Sequence, residues 1–169
     1  MYTKDEIIGL SEYYPTLDNI DRYNCWQDAE TQAGFNHMQA ESFEEFAAKA
    51  IKSRFTATIV RLSDSRRIGA IFLSPENTLP DLAIMIYKPY RGMGYGTRAF
   101  ALGAEYCLNA LELGCVYAGC YPDNDASRAM LRKCGFIPHP EGNLHEKHFL
   151  TGKDIIQMDF VKRKAVPGC

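Results

Sequence analysis

The chain has no apolar run long enough to span a bilayer, no Cys-x-x-Cys pair, no internal repeat and no low-complexity tract. A transmembrane helix, a zinc ribbon, a thiol redox motif and a solenoid are therefore not its organising features. It also lacks a surplus of one charge, since 19 Lys and Arg stand against 21 Asp and Glu for a net −2. Without a basic excess, or basic stripes interleaved with aromatics, nucleic-acid binding is not expected. The opening residues Met1-Tyr2-Thr3-Lys4-Asp5-Glu6 do not follow the basic, apolar, small-residue order of an export signal. The expected location is cytoplasmic, with no membrane partner.

What is present is ordinary for one globular unit. With 169 residues, 46% of them hydrophobic, the expectation is a single domain over residues 1–164 and a frayed tip at 165–169. Such a domain buries about two-thirds of the surface its unfolded chain exposes. The six cysteines (Cys25, Cys107, Cys115, Cys120, Cys134 and Cys169) read as reduced thiols, several on apolar faces. No metal is expected, because His145 and His148, three apart in an expected strand, point to opposite faces. Charge is uneven along the chain: residues 1–50 carry three Lys/Arg against ten Asp/Glu. That end reads as a solvated acidic face on two helices, with attraction of a cation as the alternative.

Hydrophobic spacing sets out the elements. Glu6 to Tyr13 reads as a strand and Asp18 to Asp28 as a helix, with turn residues at Gly34 and Asn36. Ser42-Phe43-Glu44-Glu45 has capping-box spacing and opens a helix expected to run to Ser53. Phe55 to Leu62 and Arg67 to Leu73 read as a hairpin, and Asp81 to Tyr87 as the next strand. From Gly94, Phe100, Ala104, Cys107 and Leu111 share one helix face, with Gly114 in the place of a C-terminal cap. Val116 to Tyr121 is a strand ended by Pro122-Asp123-Asn124, and a helix with Ala126, Met130 and Cys134 on one face follows, closed by Gly135. His145 to Leu150 and Ile155 to Val161 flank the turn Thr151-Gly152-Lys153-Asp154. The implied fold is mixed α/β, with a largely antiparallel central sheet flanked by helices.

One stretch carries chemistry. Leu82 to Tyr87 runs through Lys88-Pro89-Tyr90 into Arg91-Gly92-Met93-Gly94-Tyr95-Gly96-Thr97, joining a strand to a helix through an Arg and three alternating glycines. The first amides of a helix have no intrahelical partner and carry the positive end of its dipole, so anions settle there. Glycines let a phosphate approach the main chain, and Arg91 is expected to add a charge and a donor fork at the mouth. A dinucleotide fingerprint starting at Gly92 needs a glycine where Thr97 stands, and a Walker loop needs a lysine that Gly96-Thr97-Arg98 does not offer. A plain flexible connection, and a regulator binding another phosphate ligand, are the remaining alternatives.

The same residues match R/Q-x-x-G-x-G/A at Arg91, Gly94 and Gly96, and in this the chain resembles the Gcn5-related N-acetyltransferases (GNAT superfamily). Tyr121 to Phe136 is similar to the P-x-N-x-A-S-x-x-x-L-x-K-x-G-F segment of the RimJ/RimL-like branch. Glu141 to Asp154 is similar to that branch's closing hairpin, with His145-Glu146 where Arg-Glu is usual. The likeness covers roughly residues 55 to 161.

The resemblance implies the GNAT fold, acetyl-CoA as co-substrate, an amine acceptor such as a peptide N-terminus or amino acid, and a monomer or homodimer. It further implies that main chain at Met85, Ile86 and Tyr87 holds the pantetheine arm, that Gly92 to Thr97 meet the diphosphate, and that Asn124 helps hold the cofactor. Direct attack by the amine is expected, with the oxyanion met by main-chain donors near Met85. Several subfamilies place an acidic Tyr seven residues after the Asn, where this chain has Leu131. Ser127 is the substitute acid, and Glu146 or His148 the base. A lysine-type amine is neutral in one molecule in ~2,500 at pH 7 and an α-amine in roughly one in ten, so an α-amine needs only a modest base. Tyr23 and Trp26 are candidates for the acceptor side. Alternatives are a CoA-binding module without catalysis and a polyamine or aminoglycoside acetyltransferase.

Overall fold

A computed structural model describes residues 1–165. In order, the chain forms β1 (Thr3–Lys4), β2 (Ile8–Glu12), α1 (Pro15–Trp26), α2 (Ala29–Phe35), α3 (Phe43–Ala48), β3 (Phe55–Arg61), β4 (Arg66–Leu73) and β5 (Leu82–Ile86). There follow α4 (Tyr95–Asn109), β6 (Cys115–Cys120), α5 (Asp125–Lys133), β7 (Ile137–Pro138), β8 (Leu144–Lys147) and β9 (Asp154–Arg163). The expected mixed α/β architecture is the one found. Strands β1 to β5 make one antiparallel sheet in sequence order, and β6, β9 and β7 make a second, with β8 paired to β9.

The two sheets touch through one parallel bridge, Asp81 to Tyr117, backed by Tyr117 N donating to Pro80 O at 2.9 Å. Helix α4 lies against the first sheet. Its Phe100, Ala104 and Cys107 are fully buried beside Ile71, Leu82 and Val116. The approach is close enough that a Cβ at Gly103 would overlap the Ile71 side chain, which is where this helix needs a residue without one.

Several boundaries differ from expectation, each for a local reason. The helix expected at 18–28 is α1, which ends at Trp26, and Asp28 starts a second helix by accepting from Thr31 N at 3.2 Å. Gly34, expected in a turn, therefore sits inside α2, while Asn36 is the left-handed C-cap with φ 48°. The Ser42–Glu45 capping box forms, but α3 stops at Ala48 because Lys49 is extended. Gly114 does not cap α4: the helix ends at Asn109, and the left-handed residue beyond it is Glu112, φ 55°. The last hairpin has a wider loop than expected, from His148 to Lys153, since Lys147 pairs with Asp154. Cys25, Cys107, Cys115, Cys120 and Cys134 are free thiols. Cys169 and most of the tip expected to fray, 166–169, lie outside the described residues. No described helix is long and apolar enough to cross a membrane.

Candidate functional site

The glycine-rich turn follows β5 through a single 3-10 turn at Lys88–Tyr90. Gly92 and Gly94 have φ of 73° and 81°, the left-handed region that a side chain disfavours. Nothing lies within 4 Å of where a Cβ would stand at either, so the turn faces open space. Gly94 is the N-cap of α4 and no side chain caps that helix; its first internal bond runs from Arg98 N to Gly94 O, 3.3 Å. The amides of Tyr95, Gly96 and Thr97 thus begin a fifteen-residue helix without an intrahelical partner. Met93 is exposed. These features fit a diphosphate, which needs main-chain donors, a positive dipole end and no side chain in the way.

Beside this turn the sheet opens. Past the Asp81–Tyr117 bridge, β5 and β6 share no further pairing among the described residues. Ser74 N donates to Asp81 O and Tyr87 N to Ile68 O, both at 2.9 Å. By the alternation of an antiparallel ladder, Met85 and Tyr87 spend their main-chain groups on β4, and those of Ile84 and Ile86 face the opening. On this strand the main-chain groups left free of β4 are thus those of Ile84 and the Ile86 amide. The Met85 and Tyr87 side chains instead cluster with Cys25, Trp26 and Phe35.

The Arg91 guanidinium is held within the chain: Nε donates to Ile86 O (2.9 Å), Nη1 to Asp28 (2.7 Å) and Glu30 (2.9 Å), and Nη2 to Thr31 Oγ1 (2.7 Å). These bonds brace the turn against the start of α2. Hydrogen bonding from Arg91, with Lys88 at 3.2 Å adding to it, pushes the Asp28 carboxyl down to about 2.

On the opposite side, the α2 cap reaches the last hairpin. Asn36 Nδ2 donates to Glu146 Oε2 (3.1 Å) and to Lys147 O (2.9 Å), and its Oδ1 accepts from Phe149 N (2.8 Å). Glu146 also accepts from the Tyr121 hydroxyl at 2.7 Å. Tyr121 is buried at the end of β6, and burial, then the Glu146 carboxylate, pushes its phenol up. Sequence reasoning missed Tyr121 and Asn36 as members of this network; a lone Asn after a helix was the one available signal, and it read only as a turn.

The other expected residues are dispersed. Asn124 is the N-cap of α5, its Oδ1 accepting from Ser127 N at 3.0 Å, and Ser127 is half-buried one turn into the helix. Leu131 is fully buried in the core. His148 lies beyond β8 rather than in a strand, its Nδ1 accepting from Leu150 N (3.2 Å) and Thr151 N (3.3 Å). Trp26 packs at a tilt on Phe35 (4.8 Å) and edge-on against His37 (5.5 Å) near β5, whereas Tyr23 turns to α3, packing on Phe43 and Phe46 and donating to Glu41 O at 3.0 Å.

Residues 10–137 match the family profile described as an acetyltransferase (GNAT) domain. Among solved structures, the chain is similar to a spermidine N-acetyltransferase from Vibrio cholerae in complex with CoA and spermine. That similarity has 18% identity and a TM-score of 0.80 over 94% of this chain and 96% of that one. A GNAT-family acetyltransferase from Bacillus anthracis is similar at 15% identity and TM-score 0.77, over 95% of this chain and 96% of that one. An acetyltransferase from Agrobacterium tumefaciens is similar at 15% and 0.75, over 96% and 94%. At these identities the likeness is one of fold. No curated protein matches the sequence.

Proposed function

The chain belongs to the GNAT family of acetyltransferases, and from that premise we propose that it transfers the acetyl group of acetyl-CoA to a primary amine by direct attack, in the manner of the RimJ/RimL-like branch. The co-substrate supplies an activated acyl group as a thioester. The observation that carries this reading is the opening between β5 and β6, which begins at the Asp81–Tyr117 bridge and lies beside the uncapped start of α4.

Each residue then has a task. The amides from Gly92 to Thr97 hold the diphosphate, and the main chain of Ile84 and Ile86 holds the amide-bearing arm as an added strand would. Asn124 supports the arm through its Nδ2, since its oxygen caps α5. Ser127 gives a proton to the leaving thiolate. Glu146, fixed by Tyr121 and Asn36, takes the proton of the amine directly or through water, and His148, with Nδ1 committed to its turn, offers only Nε2 to the same end. The acceptor is an α-amine of a peptide or amino acid, or another small amine. The catalytic unit is residues 1–164, acting as a cytoplasmic monomer or homodimer.

The test is to incubate the protein with acetyl-CoA and a panel of peptides, amino acids, polyamines and aminoglycosides while following released thiol. Turnover on at least one class is expected. Silence on all of them overturns the reading.

A further inference from the structure

Four side chains gather around one hydroxyl just past β6. Tyr121 donates its proton to Glu146 Oε2 at 2.7 Å, Asn36 Nδ2 donates to the same oxygen at 3.1 Å, and Gln157 Nε2 stands 3.5 Å from the Tyr121 oxygen. Tyr121 is buried, and burial, then the Glu146 carboxylate, pushes its phenol up, so it remains a donor. A phenol has one proton. With that proton spent on Glu146, Tyr121 can only accept from Gln157, which turns Nε2 of the amide toward Tyr121 and leaves Oε1 at the other corner.

Two oxygens are left over. Glu146 Oε1 and Gln157 Oε1 accept from no donor among the described residues, and both side chains are half-buried. No cation of the described chain neutralises Glu146 either, since Lys147 pairs with Asp154 and His139 with Asp159, each at 2.7 Å. Gly119 shows where the amide lies. It stands opposite Asp159, while Leu144 stands opposite Gln157 and Glu146 opposite Ile155, so Gly119, Glu146 and Gln157 share one face. A Cβ at Gly119 would come within 2.6 Å of Gln157 Cδ and 2.8 Å of its Oε1. The amide therefore reaches across Gly119, on the strand that borders the opening between β5 and β6.

We infer that Gln157 is a substrate-binding residue: its Oε1 accepts one N-H of the acceptor nitrogen while Glu146 Oε1 accepts another, with Tyr121 holding the two side chains together. This deepens the proposed acetyl transfer and rests on it. The pair offers two acceptors, one of them charged, and no free donor. A primary ammonium brings three hydrogens and a positive charge and meets both oxygens, whereas an alcohol brings one hydrogen and leaves an acceptor unmet. The site thereby favours nitrogen over oxygen nucleophiles. Gln157 is neutral and takes no proton, so its part is to hold and orient the nitrogen.

Two variants remove the contact by different routes. Gln157→Met keeps the length of the side chain and loses the acceptor; Gly119→Ala keeps Gln157 and puts a methyl where its amide lies. Because that methyl meets only the free end of a flexible side chain, melting temperature and CoA affinity should hold in both. The CoA-loaded protein is titrated with n-butylamine and with 1-butanol, followed by NMR on the Gln157 side-chain amide and the Glu146 main-chain amide. The amine is expected to shift these signals and the alcohol not to. Each variant should weaken n-butylamine binding by about tenfold, and the double variant no further, since both remove one contact. No shift with the amine, an equal shift with the alcohol, or unchanged amine affinity in Gln157→Met overturns the inference. With acetyl-CoA present, KM for an amine that turns over should rise by about the same factor while KM for acetyl-CoA stays. Amine binding that depends on Gln157, without acetyl transfer to any amine of the panel, would sink the proposed reaction and leave the contact standing. Transfer whose amine KM ignores Gln157 would do the reverse.

Discussion

The two flanks of the opening between β5 and β6 are built from different materials. The α4 flank is main chain: left-handed glycines, an uncapped helix start and nothing within 4 Å of a Cβ at Gly92 or Gly94. The α2 flank is side chain, with Arg91 reaching Asp28 across 63 residues of sequence and Phe149 reaching Asn36 across 113. A site made of amides depends on a few residues being small. A site made of side-chain pairs depends on each partner being a particular residue, and fails one contact at a time.

The sharpest way to break the comparison is Gly94→Glu. A side chain must enter at φ 81° and brings a carboxylate to the place where the amides attract an anion. CoA affinity measured by calorimetry should fall by about a hundredfold or more, the sum of like-charge repulsion, lost approach and backbone strain. Unchanged affinity would remove the diphosphate from this turn. Next in size is Ser127→Ala, expected to lower kcat by on the order of 10²-fold while CoA affinity holds, the pattern of a group needed only in the transition state. A kcat that does not move would leave Ser127 as an ordinary helix residue.

This contrast also explains what the sequence disclosed. Phe100, Ala104 and Cys107 repeat at helical spacing because one face of α4 is buried, and alternating glycines announce a main-chain turn without knowledge of its neighbours. Ser42 and Glu45 are three residues apart, so their capping box is local and was legible. The split between α1 and α2 was not, because Asp28 acts as a cap while also being held by Arg91, far along the chain. The direction of Arg91 follows from the same long-range pairing: an arginine beside a phosphate turn and an arginine bracing a neighbouring helix have the same local sequence. Tyr121 and Glu146 lie 25 residues apart, and no periodicity links them.

Arg91→Met asks to which flank Arg91 belongs. A brace that loses its charge leaves Asp28, Glu30 and Thr31 without their shared donor, which should cost about 2–3 kcal/mol of stability by urea midpoint at constant m. A cation lost from a phosphate pocket would instead cut CoA affinity and leave stability nearly intact. The brace predicts the larger effect in unfolding and the smaller in binding; the reverse result would return Arg91 to the cofactor side.

Acid titration tests the side-chain flank more gently. The Asp28 carboxyl sits at about 2 in the folded chain against a usual 3.8, chiefly through the Arg91 hydrogen bond. A depressed carboxyl contributes stability that is complete above its unfolded value and lost as pH falls through its folded one. The contribution should therefore fade between about pH 4 and pH 2, and the control is a variant rather than α4, whose Arg98 holds the Asp5 and Glu6 carboxyls down in the same way. Hydrogen exchange would then show α2 amides opening across that interval. Asp28→Asn should flatten this part of the α2 profile, because the group that titrates is gone. An α2 profile that keeps its slope in Asp28→Asn would mean that Asp28 is not the group titrating there, and the side-chain flank would lose its anchor.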